Sequence, residues 1–289
     1  MLNETYLHLP GIGPQKEQRL WRHGHTSWSG IGDGSGVPWL GPRRAEIVAR
    51  CVEEEQAGRW DTVAGLLPPA EHWRALVRRR GRSPLPLRWL ALDIETTGLR
   101  PPYNHTTVIG LCGHATNHQP VALVAGEPDW AEPLADYLAM SEVLLTFNGR
   151  LFDVPFLEQD LRRHVLRFPP FHVDLFHALR RLGITGGLKR IQQQLGFRRD
   201  EDLEDLNGYA AVLLWQAAQR GRAGARETLV RYCLEDVVVL PRLAAFAYDR
   251  LAEQAGRPWR CPAPPQVSLG EYPFDAELAH RMGQRTRGR

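Results

Sequence analysis

Lysine is almost missing from this 289-residue chain: Lys16 and Lys189 are the only two, so arginine carries nearly all of the positive charge. That bias reads as the composition of a genome and not as mechanism. Cysteine is also scarce. Cys51, Cys112, Cys233 and Cys261 are far apart and form no C-x-x-C, which argues for reduced thiols over disulfides or a zinc site. No run of about 18 apolar residues occurs, so no membrane span is predicted. The opening MLNETYLHLPG has no charged start leading into an apolar stretch, and no signal peptide is expected. With 43% hydrophobic and 24% charged residues, the chain can bury one sizeable core plus a smaller unit, and a soluble cytoplasmic protein is the expectation.

What the chain does have is a recurring carboxylate pattern. Asp93 and Glu95 end the apolar run WLALDIE, which is bounded by the turn-like TTG and so reads as a buried strand with charges at its C-terminal end. Residues two apart on a strand share a face, so these two acids project together while Ile94 points into the core. Two buried carboxylates side by side repel, and a divalent cation is the neutralisation they call for. Asp153 follows a second apolar run, VLLTF, and opens a predicted helix with Pro155 in its first turn, where no backbone N–H is needed. Asp236 lies in an amphipathic helix predicted over about 225–248, one turn after Tyr232 and on the same face. A carboxylate and a phenol presented together can hold a metal and orient its water.

The order D-x-E, N-x3-F-D, Y-x3-D resembles the DEDD superfamily of 3'-5' exonucleases on the RNase H-like fold, with Tyr232 marking the tyrosine (DEDDy) branch. LKRIQQQLGF, DLNGYAAVLLW and YCLEDVVVLPRLA further resemble a bacterial group of RNase H-like exonuclease-domain proteins related to the proofreading domains of family B DNA polymerases. The resemblance spans about residues 86–250. It implies that Asp93, Glu95, Asp153 and Asp236 hold two Mg2+ or Mn2+ ions and that Tyr232 orients the attacking water, since a phenol with a pKa near 10 is a poor base at neutral pH. It further implies substrate contacts from Thr96, Thr97, Phe152 and Lys189, with Asn148 holding the loop that presents Asp153. The expected activity is hydrolysis of nucleic acid to nucleoside monophosphates, DNA favoured over RNA, at a 3' end or on single-stranded DNA. A structure-selective endonuclease and an inactive nucleic-acid-binding or recruitment module on the same fold are the alternatives.

Each acid has a plainer reading when taken alone: a solvated strand end for the D-x-E pair, a first-turn acid for Asp153, a solvated helix face for Asp236. Asp174, in FHVDLFHAL, reads at least as well as a helix N-cap and is left off the ligand set. The flanking His172 and His177 suit hard-cation chemistry poorly.

Residues 161–199 carry nine Arg or Lys (Arg162, Arg163, Arg167, Arg180, Arg181, Lys189, Arg190, Arg198 and Arg199) against the single acid Asp174. Arg74, Arg78, Arg79, Arg80 and Arg82 form a second cluster. Both are able to neutralise phosphates. The expected organisation is α/β: a small, mainly helical unit over 1–84, an RNase H-like mixed sheet flanked by helices over 85–250, and an extended, partly ordered tail over 251–289. Within the first unit, LPGIGPQKEQRLW resembles a helix-hairpin-helix turn, in which Gly11 and Gly13 let backbone N–H groups approach a phosphate. A plain glycine turn between packed helices is the alternative. The glycines of IGDGSG (Gly32–Gly36) follow no strand and predict no nucleotide-cradling loop.

Overall fold

The structure, a computed structural model, describes residues 1–31, 40–80, 83–257 and 259–286. The Gly32–Gly36 run and Arg82 lie outside the described residues. Two compact units are present, one of Met1–Leu87, Pro170–Val173 and Ala244–Ala263, the other of Arg88–Pro169, Asp174–Leu243 and Pro264–Arg289.

The larger unit is built on a mixed sheet. The apolar run of β3 (Trp89–Thr96) pairs antiparallel with β4 (Thr106–Gly113), β4 antiparallel with β5 (Val121–Val124), and β3 parallel with β6 (Val143–Thr146). With β7 (Phe171–Asp174) the order is β5-β4-β3-β6-β7, in keeping with the mixed sheet flanked by helices expected from the sequence. Alternation along β3 sends Leu90, Leu92 and Ile94 to one face, where they pack with Leu134 and Leu138 of α4 (Glu132–Ala139) and Phe156 and Leu157 of α5 (Asp153–Asp160). The other face carries Asp93 and Glu95 toward α8 (Gly208–Gln219) and α9 (Ala225–Gln254), whose Ala210, Ala211, Leu214, Leu229 and Cys233 form a second core with Val108. Between these come α6 (Leu175–Arg181) and α7 (Leu188–Leu195).

One glycine sets how closely α9 approaches the sheet. Gly110 of β4 lies opposite Asp93, and a Cβ there would stand 2.7 Å from Val237 Cγ2 and 2.9 Å from Cys233 Sγ. The missing side chain is filled by the helix that carries Tyr232 and Asp236.

The expected extended tail is corrected. Residues 276–286 form α10 (Ala276–Thr286), with Leu278, Ala279 and Met282 at helical spacing buried in the second core. Gly283 permits the contact, since a Cβ on it would meet Asp205 Cβ at 2.6 Å. The preceding Pro-rich stretch, and not the helix, sets the disordered look of this segment in sequence. Residues up to Ala263 belong to the smaller unit, where Arg257 (2.6 Å) and Trp259 (2.8 Å) both donate to the Glu4 carboxylate.

The smaller unit holds α1 (Pro14–Arg22), α2 (Gly41–Gln56) and α3 (Asp61–Leu66), and also a hairpin of β1 (Val77–Arg80) and β2 (Ser83–Pro86), so it is less purely helical than expected. Within the arginine cluster the reading as phosphate neutralisers is corrected for two members, Arg74 just before the hairpin and Arg79 in it. Arg74, almost fully buried, pairs with Glu17 at 3.1 Å and Glu71 at 2.8 Å, and Arg79 lies 3.7 Å from Glu4 and over the Trp259 ring. Their charge is spent on internal carboxylates. No α-helix precedes the Leu9–Gly13 turn among the described residues; a 3-10 turn over Leu2–Glu4 stands in that place.

Candidate active site

The larger unit opens into a cleft of about 450 Å3 lined by Asp93, Glu95, Asp153 and Asp236 together with Thr96, Thr97, Phe147, Asn148, Phe152 and, from α8, Gly208, Tyr209 and Val212. Four acids from three separate elements thus meet in one cavity, as the motif order predicts. Each is placed by ordinary local structure. Asp93 and Glu95 come from strand alternation, and the register with β4 shifts directly after Glu95, before the last pair, Thr96 with Thr106. Asp153 is the first residue of α5. Tyr232 and Asp236 lie one turn apart on α9.

The loop that presents Asp153 is held by Asp174. Its Oδ1 accepts from Asn148 N–H (2.8 Å) and Phe176 N–H (3.1 Å), and its Oδ2 from Arg150 N–H (3.1 Å). Asp174 is therefore both the N-cap of α6 and the anchor of this loop, in keeping with its omission from the ligand set. Asn148 adopts a left-handed backbone (φ 65°), and a Cβ on Gly149 would come within 2.7 Å of the Thr146 side chain. The loop takes this path because residues tolerant of it occupy both positions.

Electrostatically the cleft is overloaded with negative charge. Burial, then the neighbouring Asp153, Asp236 and Glu95, raises the Asp93 carboxyl well above its ordinary range, and burial followed by Asp236 does the same to Glu95. Burial pushes Asp153 up to about 7 against the opposing pull of backbone N–H groups. Asp153 Oδ1 is buried without a hydrogen-bond partner among the described residues, while Asp236 Oδ1 lies 2.8 Å from Arg199 Nη1 in an ion pair. An oxygen donor left unsatisfied in a cluster of hard carboxylates fits a divalent cation. Asp93, Glu95 and Cys233 present donor atoms within 4.8 Å of one another, with the Cys233 thiol donating to Asp93 O (3.7 Å) and Oδ2 (3.9 Å).

Tyr232 is buried, and burial followed by Asp236 holds its phenol well above the usual range. Two cations attend its ring: Lys189 Nζ at 4.8 Å and the Arg199 guanidinium carbon at 5.0 Å. Burial, then Arg199, lowers the Lys189 ammonium to about 8, and Lys189 also donates to Glu204 O at 3.4 Å. Thr96 Oγ1 donates to Gly98 O (2.6 Å) and Thr97 Oγ1 accepts from His105 N–H (2.9 Å), so both hydroxyls brace the turn beside the cleft. Phe152 lies on the cleft wall and packs at a tilt on Phe156, with centroids 4.8 Å apart.

Three features escape the sequence reading. Arg199, grouped there with phosphate-facing arginines, is buried and paired with Asp236, whereas Arg162, Arg163, Arg167, Arg180, Arg181, Arg190 and Arg198 are exposed. Cys233 sits against Asp93, and only its place beside Tyr232 hinted at that. Tyr209, two residues after the α8 N-cap Asn207, supplies an exposed aromatic wall. Gly11 and Gly13 belong to the other compact unit.

Comparison with known proteins bears on the same unit. A sequence profile of the RNase H superfamily matches residues 90–248. Among solved structures, the chain is similar to the family B DNA polymerase from the hyperthermophilic archaeon Pyrobaculum calidifontis, with 19% identity and a TM-score of 0.44 over 61% of this chain and 25% of that one. The chain therefore spans about a quarter of that polymerase. No curated protein matches. No helix among the described residues is long and apolar enough to cross a membrane.

Proposed function

We propose, on the premise that the chain belongs to the RNase H superfamily, that this protein is a metal-dependent nuclease removing nucleotides from the 3' end of nucleic acid. The observation that carries this reading is the convergence of four carboxylates in one cleft, one of them, Asp153, with a buried oxygen left without a partner among the described residues. Asp93, Glu95, Asp153 and Asp236 would hold two divalent cations, Mg2+ or Mn2+. Bound there, such ions would neutralise the scissile phosphate and support the attacking and departing oxygens.

The remaining steps belong to the chain. Tyr232 stays protonated at neutral pH, because its surroundings push the phenol upward, so it orients a water by hydrogen bonding and does not remove its proton. Lys189 adds positive charge beside Tyr232, where a phosphate oxygen would be favoured. The cleft walls Phe147, Phe152 and Tyr209 offer aromatic faces to unpaired bases, which supports a single-stranded end over intact duplex. Thr96 and Thr97 place the turn that meets the terminal nucleotide, and Asn148 shapes the loop bearing Asp153. DNA is the favoured substrate.

The smaller unit supports a separate role in holding the substrate. Gly11 has φ 71° and Gly13 caps α1, and the cavity beside this turn is lined by Ile12, Lys16, Arg19, His23 and Arg44, with no acid. Backbone N–H groups at a helix start with basic side chains around them suit a phosphate backbone. Incubating the protein with end-labelled DNA and RNA of matched sequence, in Mg2+, Mn2+ or EDTA, tests the reading. Stepwise shortening from the 3' end only with metal supports it, and cutting of a covalently closed circle would replace it by an endonuclease.

A further inference from the structure

The four acids do not face the cleft without any counter-charge. The Arg199 side chain, 4% exposed, reaches Asp236 with Nη1 2.8 Å from Oδ1. Its Nη2 donates to Tyr232 O at 3.3 Å, and its guanidinium lies over the Tyr232 ring. One side chain thus grips both functional residues of α9. The backbone that delivers it is also tied to this helix: the neighbouring Asp200 accepts from Arg231 at 3.1 Å, and Arg231 in turn donates to Glu235 at 3.0 Å. Yet the grip on Asp236 is imperfect. Nη1 and Nε of Arg199, and Asp236 Oδ1 itself, have no aligned hydrogen-bond partner among the described residues, although the charges are close. A buried ion pair short of hydrogen bonds recovers little of its desolvation cost.

We propose that Arg199 is the internal counter-ion of this site, a positioning residue that holds Asp236 and Tyr232 in place before a cation arrives and opposes cation binding at Asp236. The inference rests on the metal-dependent reading of the same cleft. A guanidinium in contact with a ligand carboxylate repels an incoming divalent ion whether it stays or is displaced. If the paired form dominates the free protein by about ten to one, apparent cation affinity is lowered by roughly that factor. Arg199 would then tune how much Mg2+ or Mn2+ the site needs, while keeping the helix face ordered without it.

Electron paramagnetic resonance of free Mn2+, titrated into the full-length protein without nucleic acid, measures this directly. Arg199→Met removes the charge and keeps much of the bulk; Arg199→Gln removes the charge and retains a donor for Tyr232 O; Arg199→Lys keeps the charge. The Met and Gln variants are expected to bind Mn2+ roughly tenfold more tightly than wild type, with the Lys variant close to wild type. If the Met variant does not fold, the Gln and Lys pair carries the comparison alone. Wild type binding Mn2+ with the charge-removed variants equal or weaker would overturn the proposal and leave the metal reading standing. Absence of Mn2+ binding in every form would overturn both.

Discussion

Asp153 is the residue at which chemistry and stability oppose each other most clearly. It is buried, one of its oxygens is unsatisfied, and burial pushes its carboxyl up to about 7, so the metal-free protein bears a cost for keeping it ionised. Asp153→Asn is expected to lower hydrolysis by several orders of magnitude while raising the melting temperature measured in EDTA; a variant as active as wild type would remove Asp153 from the site. Tyr232→Phe keeps the buried ring between Lys189 and Arg199 but loses the hydroxyl, and the loss in turnover is expected to be on the order of 10- to 1000-fold, well short of the Asp153 variant. His8 makes a different prediction. Buried against Trp28 with neither ring nitrogen bonded among the described residues, it has a pKa lowered by burial to about 4. A histidine depressed in the fold contributes stability that is present above the unfolded value near 6.5 and is lost as pH falls toward 4. His8→Leu should therefore flatten the acid-side fall in urea stability by about 3 kcal/mol between pH 7 and pH 4, whatever its effect at neutral pH. An unchanged pH slope would mean that His8 titrates normally.

The site depends on how closely α9 lies on β4, and Gly110 controls that distance. Gly110→Ala should cost about 1–3 kcal/mol through overpacking against Val237 and Cys233, and activity should fall with it as Tyr232 and Asp236 are displaced. Adding Val237→Ala to make room should restore part of both, read as melting temperature and turnover; a double variant no better than the single one would place the damage elsewhere. The elements that carry the acids were legible in the sequence because their signals are local. Strand alternation places Asp93 with Glu95, one helical turn joins Tyr232 to Asp236, and an apolar run followed by a first-turn proline places Asp153. Contacts between distant segments were not legible. Arg74 and Arg79 sit in a basic run yet reach Glu17, Glu71 and Glu4, and Arg199 turns inward to Asp236 while Arg198 beside it faces solvent. Clustering along the chain carries no information about which face an arginine takes or which acid meets it. Helix α10 was hidden for a related reason: its apolar spacing is short and follows a Pro-rich stretch, and only the docking of Leu278, Ala279 and Met282 against α8 and α9 residues gives it a core.

For the whole molecule, the account divides labour between a hydrolytic cleft and a separate phosphate-holding unit. If the basic cavity beside Gly11 and Gly13 grips the backbone, Lys16→Glu combined with Arg19→Glu should weaken binding of long single-stranded DNA. It should also reduce the slope of log affinity against log salt by about 1–2, while sparing cleavage of a dinucleotide. An unchanged salt slope would make that unit structural or protein-binding. The central claim, that the cleft is a metal-dependent nuclease working from a 3' end, is tested most directly by one substrate set. The same single-stranded DNA is supplied 5'-labelled, 3'-labelled and as a closed circle, and is incubated with wild type and Asp153→Asn in Mn2+ or EDTA. The account predicts immediate release of labelled mononucleotide from the 3'-labelled strand, a descending ladder from the 5'-labelled one, an intact circle, and no reaction in EDTA or with Asp153→Asn. Nicking of the circle, release that begins at the 5' end, or degradation that persists in EDTA would contradict it.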